Sequence, residues 1–147
     1  MLDEKDIKIL KELKRNGRLS AQEISKRTKI AVTTVFNRIK RMEKSEVIKG
    51  YTAVVDEGKT GRNIAAYVSI TVDYGLLKRK GMTQQELAHK LRQHEFVDDI
   101  SIIAGTSDII VKIRTQDISQ LNGFVTKYLR NIEGVEGTQT SVILESF

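Results

Sequence analysis

An α+β chain in two parts is what these 147 residues predict, and three observations carry that reading. Apolar residues recur every three to four positions as far as Lys44, the period of amphipathic helices. From Ile64 to Val72 they alternate one by one, the period of a strand with one apolar face. Between these stretches lies Asp56-Glu57-Gly58-Lys59-Thr60-Gly61, the most linker-like run in the chain, with no large apolar residue. The expected division is therefore 1–55, a linker at 56–62, and 63–147.

In the first part Asp3 caps a helix, with Asp6 three residues on and Ile7, Leu10 and Leu13 as its inner stripe. Gly17 ends it, where a left-handed residue is usually needed. Ser20 and Glu23 make a capping box, and Leu19 and Ile24 the hydrophobic staple across it, so a second helix starts at Ser20. Ala21, Ile24 and Thr28 face inward. The pattern breaks near Lys29 and resumes at Val32, leaving a connection of three or four residues. Advancing the third helix by about 100° per residue puts Val32, Val35, Phe36, Ile39 and Met42 on an inner face. Thr33, Thr34, Asn37, Lys40, Arg41 and Lys44 form the outer face, with Arg38 and Glu43 on the flanks. Residues 47–55 read as a short strand interrupted at Gly50.

Two short helices at this spacing form a helix-turn-helix, whose second helix enters the major groove of DNA while the first crosses the backbone. The chemistry of the outer face suits that use. The Asn37 amide can pair bidentately with adenine and an arginine, Arg41 or the flanking Arg38, with guanine, while the methyls of Thr33 and Thr34 suit thymine. Lys40 and Lys44 are point charges better matched to phosphate, and Ser20 and Gln22 are offered to the backbone by the first helix. Charge supports this placement. Residues 1–59 hold 15 Lys and Arg against 9 Asp and Glu, a net +6, whereas residues 60–147 hold 10 against 10. The whole excess sits where the helix-turn-helix is expected, as phosphate binding requires.

The second part is read as strand, helix, strand, strand, helix, strand. The strand from Ile64 is followed by a loop at 74–82 containing Lys78-Arg79-Lys80, taken as a solvated loop. Thr83 and Glu86 box a helix that runs to about His94, with Met82 and Leu87 as staple. Apolar strands at 97–104 and 109–115 are joined by a hairpin, Gly105-Thr106-Ser107-Asp108. Asp117 and Gln120 open a helix with Leu121, Phe124, Val125, Tyr128 and Leu129 inside, and a last strand covers 135–144. This is the ferredoxin-like βαββαβ order. Its uncovered sheet face is expected to be apolar enough to close two subunits together, and a dimer would present two recognition helices about 34 Å apart to a palindromic duplex site.

Residues 2–56 resemble the DNA-binding domain of the Lrp/AsnC family of transcription regulators. The resemblance rests on Leu2-Asp3-x-x-Asp6, Asn16-Gly17-Arg18, Val35-x-x-Arg38-Ile39-x-x-Met42 and Ile48-x-Gly50-Tyr51. Gly105-x-x-Asp108 and Gly134-Val135-x-x-Thr138-x-Thr140 extend it to the family's C-terminal ligand-sensing, or RAM, domain. It implies a winged-helix-like first domain, a homodimer or octamer, and an amino-acid effector bound around Gly105, Thr106, Ser107 and Asp108 with Thr138 and Thr140. Hairpin amides would hold the effector's carboxylate and Asp108 its ammonium. The other reading of the same residues is a hairpin whose aspartate satisfies its own turn. The chain departs from the family pattern at three places. Ala31 stands at the cap of the recognition helix, where serine is usual; Glu46 stands where glycine is usual; and Ser107 replaces a frequent aromatic. Thr33 is an alternative cap that would start the helix two residues later.

Other classes fare worse. With no cysteine there is no thiol nucleophile, disulfide or zinc-thiolate site. His89 and His94, taken as surface residues on one helix, point about 140° apart. No phosphate loop or paired carboxylates stand out, so catalysis and bound cofactors or metals are not expected. With four Phe and four Tyr, none paired on central strands, base stacking on the sheet is not expected either. No apolar run suggests a membrane span or signal segment, so a cytoplasmic protein is expected. The competing function is a small-molecule-binding assembly module with only non-specific DNA affinity.

Overall fold

The computed structural model describes residues 1–146, and the chain divides into two compact units, Met1–Val55 and Asp56–Phe147. Each has its own apolar core.

The first unit is three helices, α1 (Glu4–Arg15), α2 (Ala21–Thr28) and α3 (Val32–Lys44). Asp3 caps α1 and Ser20 caps α2, each in a reciprocal box with the residue three positions on. Ile9, Ile24, Val35 and Met42 meet at the centre, closed by Leu19 and Ile30 from the connections. The inner stripe of α1 is Asp6, Ile9, Leu10 and Leu13 rather than Ile7, Leu10 and Leu13; Ile7 is 58% exposed. The helix is turned so that the Asp6 carboxylate faces α3, where two guanidiniums bind it. Gly17 is not left-handed: Asn16 ends α1 in an extended conformation and its side chain accepts the Arg18 N–H at 2.9 Å. Residues 47–55 form no strand, because nothing in the unit offers them a neighbouring edge. Only Ile48 of this segment packs on the core, while Val54 is fully exposed.

The second unit begins with a short 3-10 turn, Glu57–Thr60. Strands β1 (Ile64–Val72), β2 (Val97–Ile102), β3 (Ile109–Thr115) and β4 (Val135–Val142) form one antiparallel sheet in the order β2-β3-β1-β4. That is the ferredoxin-like topology. Residues 74–82 are not a loop throughout: Tyr74–Lys80 form a helix, α4, capped by Asp73, so Lys78, Arg79 and Lys80 make its last turn. Cations there complement the helix dipole. Helix α5 (Gln84–Arg92) stops short of His94. Helix α6 (Ile118–Gly123) continues through a π-helical segment, Phe124–Tyr128, and a final 3-10 turn. Val68, Ile70, Ile109, Val111 and Ile113 pack against Leu77, Leu87, Leu91, Leu121 and Leu129 on one side of the sheet.

The other side of the sheet is not the apolar surface expected. Register puts Tyr67 opposite Lys112 and Ser141, Ser69 opposite Ile110 and Gln139, and Ser101 opposite Ile110. Tyr67 and Ile110 are the large apolar residues in a mostly polar row. The alternation in β1 is clean, but its neighbours fill this face with Lys112, Arg114, Gln139 and Ser141, which no single strand reveals. His94 is not a surface histidine either. Its ring lies 4.3 Å from that of Tyr128 and 4.7 Å from that of Phe124, centroid to centroid, and burial pushes its basicity down.

Candidate nucleic-acid interface and ligand loop

Helix α3 starts at Val32 with Ala31 as an extended cap that makes no side-chain hydrogen bond. Thr33 is therefore inside the first turn and is not the cap. Beyond the other end, Glu46 takes a left-handed conformation with φ 55°, and Lys29, which closes α2, has φ 60°.

The two arginines are not free on the outer face. Arg38 Nη1 donates to Asp3 Oδ1 at 2.6 Å and to Asp6 Oδ1 at 2.9 Å, and Arg41 Nη2 donates to Asp6 Oδ2 at 2.6 Å. Asp6 is buried, so these cations offset the cost of a carboxylate away from water. Arg38 holds the Asp3 carboxyl down to about 2. Burial pushes Asp6 upward, but the Asp3 N–H and the two guanidiniums outweigh it and leave its carboxyl below the usual range. Arg38, 20% exposed, ties α3 to the start of α1; Arg41, 57% exposed, keeps part of its guanidinium at the surface.

This leaves Thr33, Asn37, Lys40 and Lys44 exposed along α3, with Thr34 half-buried. Gln22 is exposed on α2 beside them. The Ser20 hydroxyl is engaged locally, accepting the Glu23 N–H and donating to the Glu23 carboxylate at 2.8 Å. Val32 and Phe36, expected inside, stand on this surface at 40% and 50% exposure. The buried seam of α3 is Val35 and Met42 with Ile39 half-buried, and Val32 lies about 60° and Phe36 about 100° around from Val35, toward α2. With Ala21, Gln22, Thr33 and Asn37 they line an open cleft of about 400 Å³ between the two helices. Advanced by about 100° per residue, Val32 and Phe36 run on from Val35, Ile39 and Met42 in one arc, so the sequence held no signal that the buried seam would stop short of them.

In the second unit Gly105 and Thr106 are exposed at the tip of the β2–β3 loop, with Ser107 half-buried. Asp108 is drawn into its own domain. Its carboxylate accepts the Val72 N–H and the Tyr74 hydroxyl, both at 2.8 Å, and its backbone N–H donates to the Ile70 carbonyl. The hydrogen bond to Asp108 raises the Tyr74 phenol. Ile70 stands between Ile109 and Thr138, so Thr138 sits on β4 near the end of β1 that holds Asp108, while Thr140 lies opposite Val68 at the middle of β1.

Residues 2–49 match the family described as winged helix-turn-helix DNA-binding, and residues 65–147 match the Lrp/AsnC ligand binding domain. The chain belongs to the Lrp/AsnC family. Among its Lrp/AsnC-type relatives, the HTH-type transcriptional regulator FL11 of Pyrococcus furiosus is 39% identical over 99% of this chain and 91% of that protein. Two solved structures share the whole architecture. The L-Met complex of a Neisseria meningitidis transcriptional regulator matches with a TM-score of 0.87 and 25% identity, covering 99% of this chain and 91% of the other. LrpC of B. subtilis matches with a TM-score of 0.83 and 25% identity over 100% and 97%. This Lrp/AsnC protein is thus a transcription regulator with a DNA-binding helix-turn-helix and a C-terminal ligand-binding domain. Among the described residues no helix is long and apolar enough to cross a membrane, and no cluster of His, Asp and Glu fits a metal.

Proposed function

We propose that the protein reads a palindromic duplex site in the cytoplasm by laying α3 in the major groove, as one half of a homodimer or of an assembly of such dimers. The observation that carries this is the exposed strip Thr33, Asn37, Lys40 and Lys44, left clear because Asp3 and Asp6 take up Arg38 and hold Arg41. Asn37 pairs with a base edge and Thr33 and Thr34 meet bases near the helix start. Lys40, Lys44 and Gln22 contact backbone, with Ser20 serving through the helix start that it caps. Arg41 reaches DNA with the exposed part of its guanidinium, while Arg38 orients α3.

Footprinting on DNA from upstream of the protein's own gene, with random competitor and several salt concentrations, tests this. A protected palindrome that survives competitor is expected. Binding that competitor abolishes would leave a module with non-specific affinity.

The C-terminal domain senses an amino acid at Gly105, Thr106, Ser107 and Asp108 with Thr138 and Thr140 nearby. The relative solved with L-Met supports an amino-acid effector. Asp108 already accepts two hydrogen bonds, so it serves by holding the loop and presenting its remaining lone pairs. Titration calorimetry with single amino acids, L-methionine first, is expected to give saturable heat that Thr138→Val reduces; no heat with any of them removes the sensing role. Subunit association uses the sheet's outer strands and the segment after β4, where Ile102, Val142 and Leu144 are exposed. Sedimentation of Val142→Glu is expected to show a smaller species than the unmodified chain.

A further inference from the structure

We propose that Phe36 and Val32 form a reader of the thymine C5-methyl group, so that part of this protein's sequence preference is for a methyl rather than for a hydrogen-bonding edge. The inference rests on the reading of α3 as the groove-facing helix, and names the chemistry that its apolar stripe recognises.

Phe36 and Val32 are four residues apart on one stripe, exposed at 50% and 40%, while the core is completed without them by Ile24, Val35 and Met42. Keeping a ring and a branched aliphatic side chain in water is unfavourable, so a partner with apolar surface gains by covering them. They do not stand alone. The cleft they line is shared with Ala21 and with Gln22, Thr33 and Asn37, whose amide and hydroxyl groups suit base edges. The Lys40 ammonium lies 4.6 Å from the Phe36 ring centroid. Lys44 is exposed one turn further on.

Charge selects the partner. Residues 1–55 carry 14 Lys and Arg against 7 Asp and Glu, so the patch sits in a positive field that draws a polyanion. An apolar protein surface gains nothing from the cation above the ring, and an open cleft of about 400 Å³ lined by six residues is small for a stable protein contact. In duplex DNA the one apolar group exposed in the major groove is the methyl of thymine. Asn37 lies one residue beyond Phe36 and lines the same cleft, so an adenine beside that thymine would be read together with it.

The test separates this from the DNA-binding reading itself. The full-length protein would be used to select duplexes from a random library, and fluorescence anisotropy would follow its binding to the winner. Each thymine of the half-site would then be replaced in turn by deoxyuridine, which removes the methyl and leaves every hydrogen-bonding group in place. Binding is expected to weaken about three- to tenfold at one or two positions, the scale of one buried methyl. In Phe36→Ala the thymine and uracil duplexes should bind alike, with Phe36→Leu retaining part of the difference. Equal binding of thymine and uracil duplexes at every position by the unmodified protein overturns the methyl reader and leaves DNA recognition standing. Persistence of the thymine preference in Phe36→Ala moves the methyl contact elsewhere and overturns the assignment. Failure of any duplex to be enriched over random DNA overturns the recognition reading, and the methyl reader with it.

Discussion

Asp6 has no solvent exposure yet carries a charge, and Arg38 and Arg41 reach it from a helix more than thirty residues away in sequence. Removing the carboxylate leaves Arg38 with Asp3 alone and Arg41 with water, and empties the buried site between α1 and α3. Asp6→Ala should therefore cost about 2 to 3 kcal/mol in urea unfolding of the full chain, within the range for buried charged hydrogen bonds. An unchanged midpoint would mean that the arginines find water equally good. The same pair sets an acid limit. The folded carboxyls of Asp3, at about 2, and of Asp6, lowered by the Asp3 N–H and the two guanidiniums, lie below the unfolded value near 4. Their contribution is present above that unfolded value and is lost as pH falls through the folded values. Circular dichroism from pH 5 to pH 2 should show the helical unit weakening below about pH 4, with Asp6→Asn flattening that dependence.

Gly134 is the other residue that a single atom would disturb. At φ 97° a side chain is strained, and a Cβ there would lie 2.6 Å from Leu77 Cδ2 and 3.3 Å from Leu87 Cδ2. Gly134→Ala should destabilise by about 2 to 4 kcal/mol, combining left-handed strain with overpacking. Thermal unfolding measures it, and a loss under about 0.5 kcal/mol would show that the leucines give way freely.

At the scale of elements, α3 is held by packing and ion pairs more than by its ends. Its N-cap Ala31 makes no side-chain hydrogen bond, and its exit uses Glu46 in a conformation that glycine adopts without cost. Ala31→Ser and Glu46→Gly should each raise stability by about 1 kcal/mol. The two sites lie at opposite ends of the helix, so the gains should add in the double variant. Urea midpoints that fail to rise would mean that the ends fray in the native state. Helix α6 shows the opposite economy. Its shift into a π-helical turn accompanies the insertion of Phe124 and Val125 into the core, with the Tyr128 ring packed at a tilt against His94.

At the scale of the molecule, the net positive charge sits in the part of the chain that holds the helix-turn-helix, with 14 Lys and Arg against 7 Asp and Glu in residues 1–55, while residues 56–147 hold 11 against 12. DNA binding should accordingly lose affinity steeply with salt. Lys44→Ala should reduce the slope of log affinity against log salt by about 0.9 for each α3 engaged, equally on all sequences. Asn37→Ala should leave the slope alone and weaken only the selected duplex. A Lys44→Ala slope equal to that of the unmodified protein would place Lys44 off the phosphates.

The capping boxes at Asp3, Ser20 and Thr83, the alternation in β1 and the βαββαβ order of the second unit were legible in the sequence, because each depends on residues within a few positions of one another, whereas helix α4 and the missing strand at 47–55 were not. The departure from glycine at Glu46 was visible there too, but the left-handed backbone at that residue was not. What the tertiary structure alone decided is which side each amphipathic stripe turns. Asp6 faces inward because Arg38 and Arg41 meet it there; Val32 and Phe36 face outward because Val35, Ile39 and Met42 already fill the seam. The polar sheet face has the same origin, since it is assembled from four strands whose registers no local pattern fixes. Local sequence determines helices, strands and their ends through short-range sterics and hydrogen bonds. The surface left for DNA is what long-range pairing does not consume, and only the folded chain fixes that remainder.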